Sequence, residues 1–206
     1  MESKIYITIA AVLCIAFGGC RSNNDTPKPQ AYLRIDMPQA DYRLVDTMHW
    51  DNGLVTLGDM LPFTFEMNNL AELSIKKKTS DEMWVDINYP QWDGVAFLSY
   101  KRLKTPNDLR GQTDTSLHLL ERHYQFSTGV DEEHYENPEN QVYGTTYKLG
   151  GNRVASTYQF WVTDSSRNFL RGALYINRAP NNDSLAPVIE YLQADLNHLI
   201  ETLHWR

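Results

Sequence analysis

Cys20 is the residue whose type and position point most directly to a chemical event. An apolar run from Ile5 to Phe17 follows the positive charge of Lys4 and ends at Gly18-Gly19-Cys20. The run is shorter than the ~18 to 20 residues that a spanning helix requires, and small residues before a cysteine are typical of a processing site. Cleavage there leaves Cys20 as the new N-terminus, acylated on its sulfur and its amino group. The pattern predicts a bacterial lipoprotein with a signal peptide over residues 1–19.

Lipidation would fix the protein to a membrane without a spanning helix. Each buried methylene contributes roughly 0.8 kcal/mol, so two or three acyl chains hold essentially permanently. Residues 20–30 are then a flexible tether, because Pro27 and Pro29 disfavour a helix. The segment Arg21 to Asp25 lacks the dense acidic cluster that often marks export to the outer surface, which favours an anchor facing the periplasm. Two alternatives stay open here: an uncleaved anchor helix, and an ordinary signal peptide with an accidental cysteine.

Other residues with catalytic or metal-binding chemistry are sparse. The sequence has no G-x-S-x-G elbow, no H-E-x-x-H helix, no phosphate-binding glycine loop and no dinucleotide fingerprint. Asp131-Glu132-Glu133-His134 and Glu136 group the oxygen ligands that calcium prefers, but the D-x-D-x-D-G spacing is missing. Cys14 leaves with the signal peptide, so the mature domain beyond Cys20 has no thiol for a disulfide, a nucleophile or a zinc site. We predict no catalytic residue, no metal site and no cofactor.

Composition indicates one folded, acidic domain. Hydrophobic residues make up 42% of the chain and charged residues 22%, which are ordinary values for a globular protein. The formal net charge is −7, and an acidic domain without a basic stripe is a poor binder of nucleic acid. Residues 31–206 are long enough for a single domain with its own core. We expect neither a nucleic-acid partner nor a small-molecule substrate.

A sheet must position the residues that remain as candidates. Alternating apolar residues predict strands over 32–36, 63–67, 71–75, 83–89, 94–101, 142–149, 154–163 and 169–177. The strand over 94–101 is apolar on both faces, which predicts a central strand covered on both sides. Ser127 to Asn140 is polar and acidic and is predicted to be a loop.

Both predicted helices have clear start signals. Thr105 is a hydroxyl N-cap, Pro106 takes the first helical position, and Asp108 supplies a carboxylate three residues after the cap. The second helix carries a continuous apolar stripe from Leu185 to Leu203, with Ser184 as its expected N-cap. The order is several strands, a helix, three strands and a helix. We predict an α+β fold in which two helices pack on a largely antiparallel sheet.

Two polar turns are candidate contact sites for a partner. The segment Tyr135 to Asn140 precedes a strand, and Thr163-Asp164-Ser165 follows another. Turns displayed on a rigid sheet often carry binding residues. We predict partner contacts at Glu136, Asn137, Asp164 and Arg171. The alternative is that Asn, Pro and Asp stand there for turn geometry alone.

Thr47 is a candidate site of O-glycosylation. Asp46-Thr47-Met48 fits the Asp, hydroxyl, apolar triplet of a periplasmic glycosylation pathway, as does Asp183-Ser184-Leu185. Ser184 has a competing explanation as a helix N-cap. Thr47 has no such competing role, although the triplet is short and common by chance.

Six blocks of the sequence resemble one family. They are KPQAYLRIDMP (28–38), PFTFE (62–66), FLSYK (97–101), YENPENQVYG (135–144), QFWVTDSSRNFLRGALYIN (159–177) and PNNDSLAPVIEYLQADLNHLIETLHW (180–205). On these blocks the chain resembles the gliding-motility lipoprotein GldD family. The resemblance implies an outer-membrane lipoprotein needed for surface gliding, which in that family depends on the type IX secretion apparatus. It implies no catalytic residue, and the lipidated cysteine corresponds to Cys20.

Two classes of function compete at this point. The first is a non-enzymatic envelope lipoprotein that assembles or stabilises the gliding and secretion machinery through protein contacts, on the periplasmic face of the outer membrane. The second is a periplasmic hydrolase or ligand-binding lipoprotein acting on peptidoglycan or a surface polymer. A flat patch of exposed aromatic residues favours the first, whereas a concave pocket with converging carboxylates or histidines favours the second.

Overall fold

The structure, a computed structural model, describes residues 35–45 and 61–206. Cys20, the tether and Thr47 lie outside these ranges, and the described end of the strand predicted over 32–36 is not a strand. The described residues form two helices, α1 (Pro106–Glu121) and α2 (Asn182–Glu201), and eleven strands. The strands are β1 (Tyr42–Leu44), β2 (Phe63–Thr64), β3 (Glu66–Asn68), β4 (Glu72–Lys78), β5 (Glu82–Tyr89), β6 (Gly94–Arg102), β7 (Gly129–Asn137), β8 (Val142–Gly150), β9 (Tyr158–Thr163), β10 (Asn168–Ile176) and β11 (His204–Trp205).

Seven of these strands form one antiparallel sheet in the order β4-β5-β6-β10-β9-β8-β7. At its middle, β6 and β10 pair without interruption from Arg102 opposite Asn168 to Gly94 opposite Ile176. Two further antiparallel pairs, β1–β3 and β2–β11, complete the described strands. The two helices and the large antiparallel sheet confirm the α+β prediction.

The helix α2 packs on one face of the sheet, here called the core face. Alternate residues of the central strands are buried there, including Met83, Val85, Ile87, Ala96, Leu98 and Tyr100. The helix contributes Val188, Ile189, Leu192, Leu196, Leu199 and Ile200. Packing is close, because a Cβ on Gly172 would lie 2.1 Å from the Phe160 ring. Each large aliphatic side chain buried in this way contributes about 1.5 to 3 kcal/mol, so the core face supplies most of the stability.

The helix α1 lies on the opposite face, here called the outer face. It starts as predicted, with Asp108 Oδ2 accepting the N–H groups of Lys104 at 2.7 Å and Thr105 at 2.9 Å. Of its residues only Ser116 and Leu120 are buried. Leu120 joins a small cluster with Tyr147, Leu149 and Val154. α1 therefore lies over β8, β9 and part of β10, and leaves Trp84 on β5 and Phe97 on β6 exposed.

The segment predicted as a loop over Ser127–Asn140 is instead largely the strand β7, so four strands rather than three separate the helices. It pairs with β8 along its whole length, from Gly129 to Asn137. Because β7 is an edge strand, most of its side chains face solvent and no apolar alternation appears in the sequence. Charged residues on such an edge discourage pairing with further strands.

Three further local predictions are corrected. The strand predicted over 63–67 is broken at Phe65 into β2 and β3. β6 is central, but its outer face is covered only in part, because Val95 is 4% exposed and Phe97 is 44% exposed. The N-cap of α2 is Asn181 rather than Ser184. The first N–H groups of the helix find acceptors on Asn152: the N–H of Asn182 donates to its carbonyl oxygen and the N–H of Asp183 to its Oδ1, each at 3.1 Å.

Candidate partner-binding surface

The fold brings the two predicted contact turns to the same end of the sheet. Glu136 on β7 pairs with Tyr143 on β8, and Tyr143 pairs with Thr163 on β9. Glu136 and Thr163 are therefore two strand spacings apart, about 10 Å. The Glu136 side chain is exposed. Asn137 Oδ1 accepts the N–H of Asn140 at 3.2 Å, so Asn137 has a role in the turn itself.

Asp164 fixes the turn between β9 and β10. Its Oδ1 accepts the backbone N–H groups of Ser166, Arg167 and Asn168 at 2.9, 2.7 and 2.8 Å. Its Oδ2 accepts the Asn168 side-chain amide at 2.7 Å. Burial alone would raise the pKa of the Asp164 carboxyl, but these hydrogen bonds outweigh burial and lower that pKa. Turn geometry therefore accounts for Asp164, and the exposed side chains beside it are Ser165, Ser166 and Arg167.

Arg171 does not join the other three predicted residues. It lies in the middle of β10, between Ser99 on β6 and Trp161 on β9, and three strands from β7. Its Nη2 donates to Gln159 Oε1 at 2.7 Å, and burial lowers the pKa of its guanidinium. Within the described residues it forms no ion pair with a carboxylate. Arg171 thus lies beside Ser99, at the edge of the outer-face region that α1 leaves uncovered, and is counted as part of it.

That uncovered part, here called the open face, consists of Trp84, Asp86, Phe97, Ser99, Lys101 and Arg171. Register places Trp84 opposite Ser99 and Asp86 opposite Phe97 on the neighbouring strands β5 and β6. Trp84 is 50% exposed and Phe97 is 44% exposed. Large aromatic side chains exposed together on a sheet face mark an interaction surface.

Sequence reasoning missed the open face, although a signal for it was present. On β5 the buried residues Met83, Val85 and Ile87 alternate with Trp84 and Asp86. Such alternation is typical of an antiparallel strand with one solvated face. Because neighbouring strands share their faces, the same solvation should extend to Phe97 on β6.

Clefts in the described residues are small or lack paired titratable groups. A cleft of about 390 Å³ between α1 and the sheet is lined by residues that include Leu109, Tyr143 and Trp161. A second cleft, of about 210 Å³, brings Glu133 and Glu201 together beside α2. Ligand pockets usually measure about 300 to 1,000 Å³, so the cleft with Glu133 and Glu201 is below the usual size, as is a cleft of about 280 Å³ whose lining includes Asp131, Asp183 and Glu190.

The acidic residues considered as calcium ligands do not converge. Because β7 is a strand, Asp131 and Glu133 point to one face of the sheet, and Glu132, His134 and Glu136 point to the other. In residues 35–45 and 61–206, no group of three or more His, Cys, Asp or Glu side chains is arranged to hold a metal ion.

A buried polar network around Asp195 was also missed by sequence reasoning. Asp195 accepts hydrogen bonds from Tyr42 Oη at 3.0 Å and Asn68 Nδ2 at 2.8 Å. Nearby, the Tyr42 ring stacks on His198 at 3.8 Å, and His198 Nε2 lies 2.7 Å from Glu66 Oε2. Burial raises the pKa of the Asp195 carboxyl. The only sequence signal was an aspartate on the apolar stripe of α2, and the network's effect is to hold β1 and β3 against that helix.

Comparison with known proteins identifies one family. The model of the family described as "Gliding motility lipoprotein GldD" matches residues 22–205, which is nearly the whole chain. No curated protein and no solved structure matches the chain.

Proposed function

The chain belongs to the gliding motility lipoprotein GldD family, and from that membership we propose a specific way in which it works. The family implies a role in gliding motility and a lipid-anchored place in the cell envelope. We propose that the protein is non-enzymatic and assembles or stabilises the gliding and type IX secretion machinery by binding its protein components. The contacts proposed are the open face, which includes Arg171, and the turns that carry Glu136, Asn137 and Asp164.

The observation that carries this proposal is the open face. Trp84 and Phe97 are about half exposed on a flat, rigid sheet. Interfaces between proteins are enriched in aromatic residues, which supply much of the binding energy. Burying Trp84 and Phe97 beneath another part of the chain would increase the stability of the fold. Their exposure therefore favours a partner protein that covers the two rings.

We propose that the anchor is Cys20 and that it holds the domain on the periplasmic face of the outer membrane. Among the described residues no helix is long and apolar enough to cross a membrane. Replacing Cys20 by Ala should prevent acylation and leave an uncleaved precursor, visible by its larger mass. A Cys20→Ala protein of normal mature size would show that an ordinary peptidase cuts here.

Purification from chemically crosslinked envelopes tests the proposed function. The full-length lipidated protein should co-purify a recurrent set of envelope proteins, identified by mass spectrometry. Glu136→Ala and Asn137→Ala variants should fold and localise normally, recover less of these proteins, and glide less. Glu190→Ala is the matched control, because Glu190 is exposed on α2, away from both turns. Normal gliding in both variants would remove the end of β7 and the turn after it from the contact surface.

One observation in favour of the competing function is the cleft that holds Glu133 and Glu201. A glycoside hydrolase needs one carboxyl group kept protonated by apolar surroundings, whereas both of these side chains are exposed. A Glu133→Gln, Glu201→Gln double variant should therefore glide normally. If the purified protein released fragments from peptidoglycan and the double variant did not, the hydrolase function would replace the one proposed.

A further inference from the structure

The open face is positively charged, although the whole chain is acidic. Its cations and those reaching it from β4 are Lys76, Lys77, Lys101 and Arg171. Three carboxylates of the described residues oppose these four cations: Asp86 lies 3.7 Å from Lys76, Glu82 pairs with both Lys77 and Lys101, and Glu72 on β4 lies on the same face as Asp86. The face around the exposed rings thus has a net positive charge within a chain of net charge −7.

Each lysine on this face is already paired with one of the chain's own carboxylates. Hydrogen bonds from Lys101 and Lys77 lower the pKa of Glu82 to about 2, so Glu82 stays ionised between them. Lys77 Nζ also lies 4.6 Å above the centre of the Trp84 ring. These three charged side chains therefore form a self-contained group at the margin of the open face.

Arg171 is different, because no carboxylate of the described residues neutralises it. Its one hydrogen bond goes to Gln159 Oε1, and none of its nitrogen atoms is both buried and unpartnered. Arg171 is partly exposed, so its remaining N–H groups are not fully enclosed by the protein. Gln159 is 2% exposed, and its Nε2, next to the Oε1 that Arg171 contacts, is buried without a hydrogen-bond partner. The Nε2 amide of Gln159 and the remaining N–H groups of Arg171 thus lie side by side without an acceptor from the described residues.

We propose that the open face binds an acidic segment of a partner protein, with a carboxylate of that segment paired to Arg171 and apolar side chains packed on Trp84 and Phe97. This inference rests on the proposed function and names the chemistry of the partner. A carboxylate matches the fork of a guanidinium and forms two parallel hydrogen bonds with it. A short acidic segment carries few negative charges and is therefore repelled only weakly by the acidic chain. A second copy of the chain or an anionic membrane carries many negative charges and would be repelled by the whole chain.

Photocrosslinking in intact cells tests the partner's chemistry. The probe is p-benzoylphenylalanine in place of Phe97 in the full-length lipidated protein, with the same probe in place of Leu44 as control. Leu44 lies on β1 and is 51% exposed, against 44% for Phe97. Position 97 should crosslink to a protein segment that contains Asp or Glu next to apolar residues, and position 44 should not.

Charge reversal then tests the pairing with Arg171. Arg171→Glu and the milder Arg171→Gln should each lower the crosslink yield from position 97, by about tenfold or more for the reversal. Arg153→Glu makes the same charge change at an exposed loop residue and should leave the yield unchanged. Reversing the charge of the crosslinked acidic residue in the partner should restore the yield with Arg171→Glu. The melting temperature of each variant separates lost binding from lost folding.

Several results would overturn the inference. These are a crosslinked segment that is neutral or basic, a second copy of this chain, a lipid or a polysaccharide at position 97, or an undiminished yield with Arg171→Glu. If position 97 gives no protein crosslink but a probe at Glu136 does, the proposed function stands and the inference fails. If no position gives a protein crosslink, both fail.

Discussion

The helices α1 and α2 pack on opposite faces of one sheet, and they differ in how much they bury. α2 buries seven residues, six of them apolar, whereas α1 buries only Ser116 and Leu120. The core face is closed by α2, while α1 leaves Trp84 and Phe97 exposed beside it. The difference in burial therefore assigns most of the stability to the core face, and our proposal places binding on the part of the outer face that stays exposed.

The largest effect should come from α2. Leu192 and Leu196 are fully buried, and truncating a core leucine costs about 2 to 5 kcal/mol, because both the burial and the packing around the cavity are lost. Leu192→Ala and Leu196→Ala should each lower the midpoint of urea unfolding markedly. Leu117→Ala on α1, where Leu117 is 39% exposed, should cost under about 0.5 kcal/mol. Equal small losses in all three would contradict the assignment of stability to the core face.

A smaller loss should follow when the turn between β9 and β10 loses Asp164. Its carboxylate accepts four hydrogen bonds, and Asp164→Ala should lower the free energy of unfolding by about 1 to 3 kcal/mol. Because the folded-state pKa is lowered, this stabilisation is complete above the ordinary pKa near 4 and is lost as the pH falls through the folded value. Unfolding curves at pH 7 and pH 3 should therefore show a smaller difference between wild type and variant at pH 3. A difference that grew at pH 3 would contradict this account of the turn.

The start of α1 should contribute less again. Asp108 accepts two backbone N–H groups ahead of the helix, and loss of such a cap typically costs about 0.5 to 2 kcal/mol. Asp108→Ala should lower the free energy of unfolding by an amount near the low end of this range. The reason is that α1 has few buried side chains, so fraying of its first turn disturbs little packing. Thermal unfolding measures it, with the exposed Asp114→Ala in the same helix as control. A loss as large as that of Leu192→Ala would mean that α1 is as important to the core as α2.

The sequence was sufficient to predict those helices and strands whose signals come from residues close together in the chain. The apolar stripe of α2 and the Thr105-Pro106-Asp108 start of α1 predicted both helices. Both signals depend only on residues close together in the sequence: the helical spacing of apolar residues and the capping residues at the first turn. Most strands of the sheet were predicted for the same reason. β7 was missed because an edge strand with two solvated faces has no alternation.

The surface was harder to predict than the fold, since it depends on which faces the helices leave uncovered. Phe97 is apolar in the sequence, and only the position of α1 leaves it exposed. The convergence of Glu136 with Thr163 likewise comes from strand order, which brings together residues far apart in the chain. The network around Asp195 unites β1, β3 and α2 by contacts between distant residues.

The most direct test of the account replaces the exposed rings of the open face and leaves the core intact. A Trp84→Ser, Phe97→Ser double variant should lower the free energy of unfolding by less than a core leucine pair would, roughly 1 to 4 kcal/mol, because each ring buries only about half of its surface. Leu44→Ser, at an equally exposed position on β1, is the control. The readout is the spreading of cell colonies on agar, measured together with the cellular amount of each protein, and it shows whether gliding requires the exposed rings. The account predicts that the double variant accumulates normally but does not spread, and full spreading at normal abundance would contradict it.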